Sequence, residues 1–147
     1  HGDEEDRYLP TPIHALENLN VTNLSCGAHH SACVTSDGVL YTWGGSAFGK
    51  LGLGPNKSRG RGSQLLPKHV GGPLRKKAVV CVSLGSQHSA CTTADGELYT
   101  WGQGRRLGHE VQGETDEYLP RKVEALAGLF VLQVACGEAH TACIVDS

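Results

Sequence analysis

Cysteine and histidine stand close enough together in this chain to suggest a zinc site. Cys26-x-x-His29-His30-x-x-Cys33 and Cys136-x-x-x-His140-x-x-Cys143 hold the nitrogen and sulfur donors that tetrahedral zinc takes up. The same stretches set a histidine beside a hydroxyl, as His30-Ser31, His88-Ser89 and His140-Thr141. Such pairs can act as general base and nucleophile. Further on, Gly44-Gly45, Gly49, Gly52 and Gly54 suggest a loop that cradles phosphate.

Repetition argues against all three chemistries. Cys33, Cys91 and Cys143 fall at one equivalent position, and Cys26 and Cys136 share another that Leu84 fills. A position that accepts either Cys or Leu is an apolar packing site, where Cys serves as a small hydrophobe. Three copies of the histidine–hydroxyl pair point to a structural task done three times, whereas an active site is built once. The expectation is that imidazole and hydroxyl bind backbone groups at the start of each strand and fix the turn after the glycine. A phosphate loop needs Gly-Lys-Ser/Thr opening a helix, and Gly49-Lys50-Leu51 lacks the hydroxyl. Those glycines are expected to supply positive φ in the loop leaving a strand. No catalytic residue, metal, cofactor or disulfide is therefore expected.

The repeat spans the chain. Cys26-Gly27-Ala28-His29-His30-Ser31-Ala32-Cys33 leads to Asp37-Gly38-Val39-Leu40-Tyr41-Thr42-Trp43-Gly44. Leu84-Gly85-Ser86-Gln87-His88-Ser89-Ala90-Cys91 leads to Asp95-Gly96-Glu97-Leu98-Tyr99-Thr100-Trp101-Gly102. A third copy opens at Cys136-Gly137-Glu138-Ala139-His140-Thr141-Ala142-Cys143. Gly27, Gly85 and Gly137 are separated by 58 and then 52 positions, as are His30, His88 and His140. The copies are taken as 25–82, 83–134 and 135–147, after the tail of a preceding repeat over 1–24. Both ends cut through a repeat, so a piece of a larger array is expected.

Each copy has to position these residues on short strands. His30–Thr35 and Val39–Trp43 flank Ser36-Asp37-Gly38, and 88–93 and 97–101 flank Ala94-Asp95-Gly96. Asp-Gly between such runs predicts a hairpin closed by a tight type I′ turn. Leu24–Cys26, Val79–Leu84 and Val131–Cys136 predict a preceding apolar strand. A fourth is expected near each of Pro10, Pro67 and Pro120, because a missing N–H suits a sheet edge. Four short strands per copy match one blade of a β-propeller. Gly27, Gly85, Gly137, His30, His88, His140, Cys33, Cys91, Cys143, Trp43 and Trp101 are then its repeated structural core. A blade buries its faces only against neighbouring blades, so the outer flanks are expected to be open, waiting for blades of the same or another chain.

The segments Gly-x-x-His-Ser-Ala-Cys and Asp-Gly-x-Leu-Tyr-Thr-Trp-Gly, followed by Phe48-Gly49-Lys50-Leu51-Gly52-Leu53-Gly54, resemble the repeat of the regulator of chromosome condensation (RCC1-type) family. The resemblance implies an all-β, seven-bladed propeller with four antiparallel strands per blade, of which this chain supplies between two and three. The loop from Trp101 to Leu107-Gly108 is two residues shorter than that from Trp43 to Leu51-Gly52. In this it is similar to the propellers of large ubiquitin ligases and other multidomain members.

What does not repeat is left free for function. The net charge of -2 and pI near 6.5 give no global attraction to nucleic acid or acidic lipid. No apolar run approaches the ~20 residues of a membrane span. The segment from Pro55 to Gln64 is longer than its counterpart and carries Lys57, Arg59 and Arg61, where the counterpart carries Glu110, Glu114, Asp116 and Glu117. With Arg105 and Arg106, these cations form the candidate partner-binding loops, directed at an acidic protein. The expected function is a non-catalytic interaction scaffold within a larger intracellular protein of cytoplasm or nucleus. The resemblance implies two alternatives: guanine-nucleotide exchange on a Ran-like small GTPase with chromatin association, and a structural part of a cytoskeletal or ciliary assembly.

Overall fold

The computed structural model describes residues 1–55, 62–109 and 115–146. Ten strands follow one another: β1 Val21–Cys26, β2 His30–Thr35, β3 Leu40–Gly45, β4 Ser63–His69, β5 Val79–Leu84, β6 His88–Thr93, β7 Leu98–Gly102, β8 Glu117–Lys122, β9 Phe130–Cys136 and β10 Thr141–Asp146. Only short 3-10 turns interrupt them among the described residues. They pair in sequence order into two four-stranded antiparallel sheets, β1–β4 and β5–β8, with β9 and β10 forming a third hairpin. This is a segment of a propeller. Pro67 and Pro120 lie in β4 and β8, the outer edge strands, where the absent N–H breaks no ladder.

Two expectations are corrected. The Asp-Gly hairpins do not use type I′ turns, which need positive φ at both central residues. Gly38 and Gly96 have φ of 79° and 76°, while Asp37 and Asp95 are not in the positive region. Gly38 N–H bonds Thr35 C=O at 2.9 Å and Thr35 N–H bonds Val39 C=O at 3.0 Å. The loop is therefore three residues long, the form in which a glycine bulge follows a type I turn. The residues around Pro10 form no strand. A strand there would be the fourth of its sheet, and no third strand for it to pair with is among the described residues.

The apolar core lies between sheets. Ala32, Val34 and Leu40 of the first sheet pack with Val79, Val82, Leu84, Cys91, Tyr99 and Trp101 of the second. Ala90, Leu98 and Val123 of the second pack with Val131 and Val134 of the third. Each interface joins one sheet to the next, so no blade has a core of its own. The outer flanks are open: Leu24 on β1 and Leu132 and Ile144 on β9 and β10 are exposed. For the same reason Trp43 is half-buried while Trp101, its counterpart, is fully buried, and His140 and Cys143 are exposed although His88 and Cys91 are not.

Candidate functional site

The connections β1–β2 and β3–β4 of each blade leave the same end of the sheet, opposite the Asp-Gly hairpins. That end carries the Gly-x-x-His turns together with the short turns Ala47–Gly49 and Gly104–Arg106. In each turn the glycine N–H bonds the histidine C=O, from Gly27 to His30 at 2.8 Å and from Gly85 to His88 at 2.9 Å. A Cβ on Gly85 would stand 2.2 Å from His88 Cε1 and 2.6 Å from the Gly137 carbonyl oxygen. Only glycine lets the imidazole fold flat onto the backbone while the next blade approaches.

The hydroxyls bond backbone carbonyls, as expected, but the imidazoles reach beyond their own repeat. They cross the junction. His30 Nε2 lies 2.9 Å from Ser89 Oγ of the next blade, and His88 Nε2 lies 3.0 Å from Thr141 Oγ1 of the one after. Ser89 donates its proton to the Lys50 carbonyl at 2.7 Å, and Trp101 Nε1–H donates to the same oxygen at 2.9 Å. Thr141 likewise donates to the Arg106 carbonyl at 3.1 Å. Side chains alternate along a strand, so His30 and the adjacent Ser31 face opposite sheets and cannot share a partner. The hydroxyl that meets each histidine comes from the following repeat.

This geometry forbids the base–nucleophile chemistry. A nucleophilic serine gives its proton to the imidazole; Ser89 gives it to a carbonyl and accepts from His30 Nε2–H. Burial, and next the Lys50 charge, push His30 down to about 3, and His88 is lowered chiefly by burial. The His30 imidazole is therefore neutral at physiological pH. Burial also raises Cys33 and Cys91, so these thiols remain protonated. All six cysteines are free, and no group of three or more His, Cys, Asp or Glu is placed to hold a metal among the described residues.

Sequence reasoning missed several residues of this junction. Asn23 Oδ1 accepts from Val82 N–H, Ser25 Oγ from Leu84 N–H, and Ser83 Oγ from Cys136 N–H, at 2.8 to 3.0 Å. These polar side chains satisfy the free edge of the next blade's innermost strand. Their signal was a small polar residue two places before the turn in the first two copies, Ser25 and Ser83. Of the candidate partner-binding residues, Lys57, Arg59 and Arg61 lie outside the described residues. Arg105 and Arg106 occupy the short turn Gly104–Arg106 at the same end, Arg105 exposed and Arg106 half-buried with Nη1 lacking a partner.

The family model of the Regulator of chromosome condensation (RCC1) repeat matches residues 1–34, 37–92 and 95–144. This chain belongs to the RCC1 repeat family. It is 33% identical over 141 residues to the ultraviolet-B receptor UVR8 of Arabidopsis thaliana, covering 96% of this chain and 31% of that protein. It is 38% identical over 151 residues to the human E3 ubiquitin-protein ligase HERC2, covering 99% of this chain and 3% of HERC2. Prp20p from Saccharomyces cerevisiae, described for its binding properties to Gsp1p and histones, superposes with a TM-score of 0.76 at 22% identity. That match covers 95% of this chain and 33% of Prp20p. The chain thus spans about a third of UVR8 and a small part of HERC2. No helix among the described residues is long and apolar enough to cross a membrane.

Proposed function

We propose that this RCC1-type segment is a non-catalytic protein-interaction module, part of a larger intracellular protein, whose loops at the Gly-x-x-His end contact an acidic partner. One observation carries the reading. The histidines, hydroxyls and indole of the buried repeats are spent on bonds between blades, which leaves recognition to what differs from blade to blade. In the loops that difference is charge: the β3–β4 connection carries Lys57, Arg59 and Arg61, whereas the β7–β8 connection sets Arg105 and Arg106 beside Glu110, Glu114, Asp116 and Glu117. Six free cysteines support a reducing compartment. The test is co-precipitation of the chain and its K57E/R59E/R61E/R105E variant against the same cell lysate, with identified partners retitrated in pure form. At least a tenfold loss of affinity for a partner is expected, with unchanged thermal stability. Equal binding by the variant would contradict the assignment. In a parallel assay with labelled nucleotide and several small GTPases, the chain is expected to leave nucleotide release unaccelerated.

A further inference from the structure

Three connections lead into the innermost strands β1, β5 and β9, and the middle one is built differently. In the first and third, the residue after the 3-10 turn is extended and the next has positive φ. Glu17 at ψ of 140° precedes Asn18 at φ of 67°, and Ala127 at ψ of 131° precedes Gly128 at φ of 87°. The connection from β4 to β5 has one residue more. Positive φ moves to Gly72, at 60°, and Arg75 stays helical with ψ of -29°. It carries Arg75-Lys76-Lys77 where the others carry Glu17-Asn18-Leu19 and Ala127-Gly128-Leu129. It also lies between two complete four-stranded sheets. A Cβ on Gly72 would stand 3.4 Å from Leu119 of β8, and Val79 N–H bonds Gly38 C=O at 3.0 Å.

The cations of this connection divide into held and free. Lys77 Nζ lies 2.9 Å from Asp95 Oδ2 and 2.7 Å from Glu97 Oε2, and Lys122 takes the other Glu97 oxygen at 2.9 Å. Both carboxylates are thereby occupied, while Arg75 and Lys76 are exposed without a partner. Lys68 in β4 joins them. Its counterpart Arg121 pairs with Glu117 at 2.6 Å, but β4 has Gln64 where β8 has Glu117. Among the described residues, no other exposed lysine or arginine lacks a partner. Bonds from Arg75 N–H to Gly72 C=O at 3.1 Å and from Lys77 N–H to Leu74 C=O at 3.0 Å, with Leu74 buried, fix the backbone. Little order is then left to lose when a ligand binds.

We propose that Lys68, Arg75 and Lys76 form a second docking surface, towards the Asp-Gly end, for an acidic segment of a protein partner. It is separate from the loops at the Gly-x-x-His end and does not depend on them. Cations without counter-ions attract carboxylates and steer their approach, and Arg75 offers a planar fork that one carboxylate fills with two parallel bonds. The connection runs between two hairpins, with exposed Asp37 on one and Asp95 on the other. The continuous charge of a nucleic acid or an anionic membrane meets these carboxylates. Asp and Glu side chains spaced along a peptide fit between them.

The test is an NMR titration of the full chain with acetyl-Gly-Glu-Gly-Glu-Glu-Gly-amide and its Gln counterpart. The Glu peptide should shift the backbone amides of Lys68, Arg75 and Lys76 and bind at least tenfold tighter than the Gln peptide. K68E/R75E/K76E should weaken it at least tenfold with an unchanged melting temperature, because all three side chains are exposed. K57E/R59E/R61E makes the same change in net charge and should leave the titration at these amides within about twofold of the parent. No shift at these amides, equal binding of the Gln peptide, or equal weakening by both triple variants would each overturn the proposal. So would tighter binding of duplex DNA or phosphatidylserine vesicles that K68E/R75E/K76E abolishes. The reading of the Gly-x-x-His loops is tested by other residues, so either assignment can fail while the other stands.

Discussion

Lowering the pH from 7.5 to 5 should loosen the blades, and the size of the effect follows from His30. In the unfolded chain this imidazole titrates near its ordinary value of about 6.5, while in the folded chain burial holds it down to about 3. Between those values the unfolded state binds a proton that the folded state refuses. The stabilising contribution is therefore complete above the unfolded value and falls away as the pH drops from 6.5 towards 3. At pH 5 the loss from His30 alone is about 2 kcal/mol. The residue is only 3% exposed, so solvent does little to screen it. His88 acts in the same direction, since its value is also lowered by burial. Glu97, held at about 2 by Lys77 and Lys122, contributes only further down, as the pH falls below the ordinary carboxylate range. Urea unfolding followed by tryptophan fluorescence at pH 7.5, 6.5, 5.5 and 5 reads the slope, and H30Q, which cannot take up the proton, should flatten it. Native-state NMR gives an independent reading: the His30 ring protons should not titrate between pH 8 and 5. Stability unchanged over this range, or a His30 that titrates near 6.5, would refute the reasoning.

Three further outcomes are expected. S89A removes the acceptor of His30 Nε2–H and the donor to Lys50 C=O, and urea unfolding should show a loss of about 1–3 kcal/mol. G85A drives a methyl into His88 and the Gly137 carbonyl and should unfold the junction, while G62A, an exposed glycine with open space around it, should stay within about 0.5 kcal/mol by the same measurement. Iodide should quench W101F, which keeps half-buried Trp43, and leave W43F, which keeps fully buried Trp101, with a blue-shifted and protected emission.

Much of the fold could be read without coordinates because the repeat exposes what each strand does. Alternation and Asp-Gly turns located β2, β3, β6 and β7, and the prolines marked β4 and β8 as edges. The turn type was missed because Asp-Gly suits two loop lengths, and only the hydrogen bonds of Thr35 and Thr93 distinguish them. The partner of His30 was missed for a different reason. Ser31 is adjacent in sequence, but the pleat turns it to the other face and brings in Ser89, 59 residues away. The role of Lys50 was hidden because its carbonyl, which any residue could provide, accepts from Ser89 and Trp101.

The central claim is that each histidine couples its blade to the hydroxyl of the following repeat and not to its neighbour in sequence. A pair of double-mutant cycles measures this directly: H30Q with S89A, and H30Q with S31A, both by urea unfolding. The account predicts a coupling of about 1 kcal/mol or more for His30 with Ser89 and none beyond error for His30 with Ser31. The reverse pattern, or no coupling in either cycle, would contradict it.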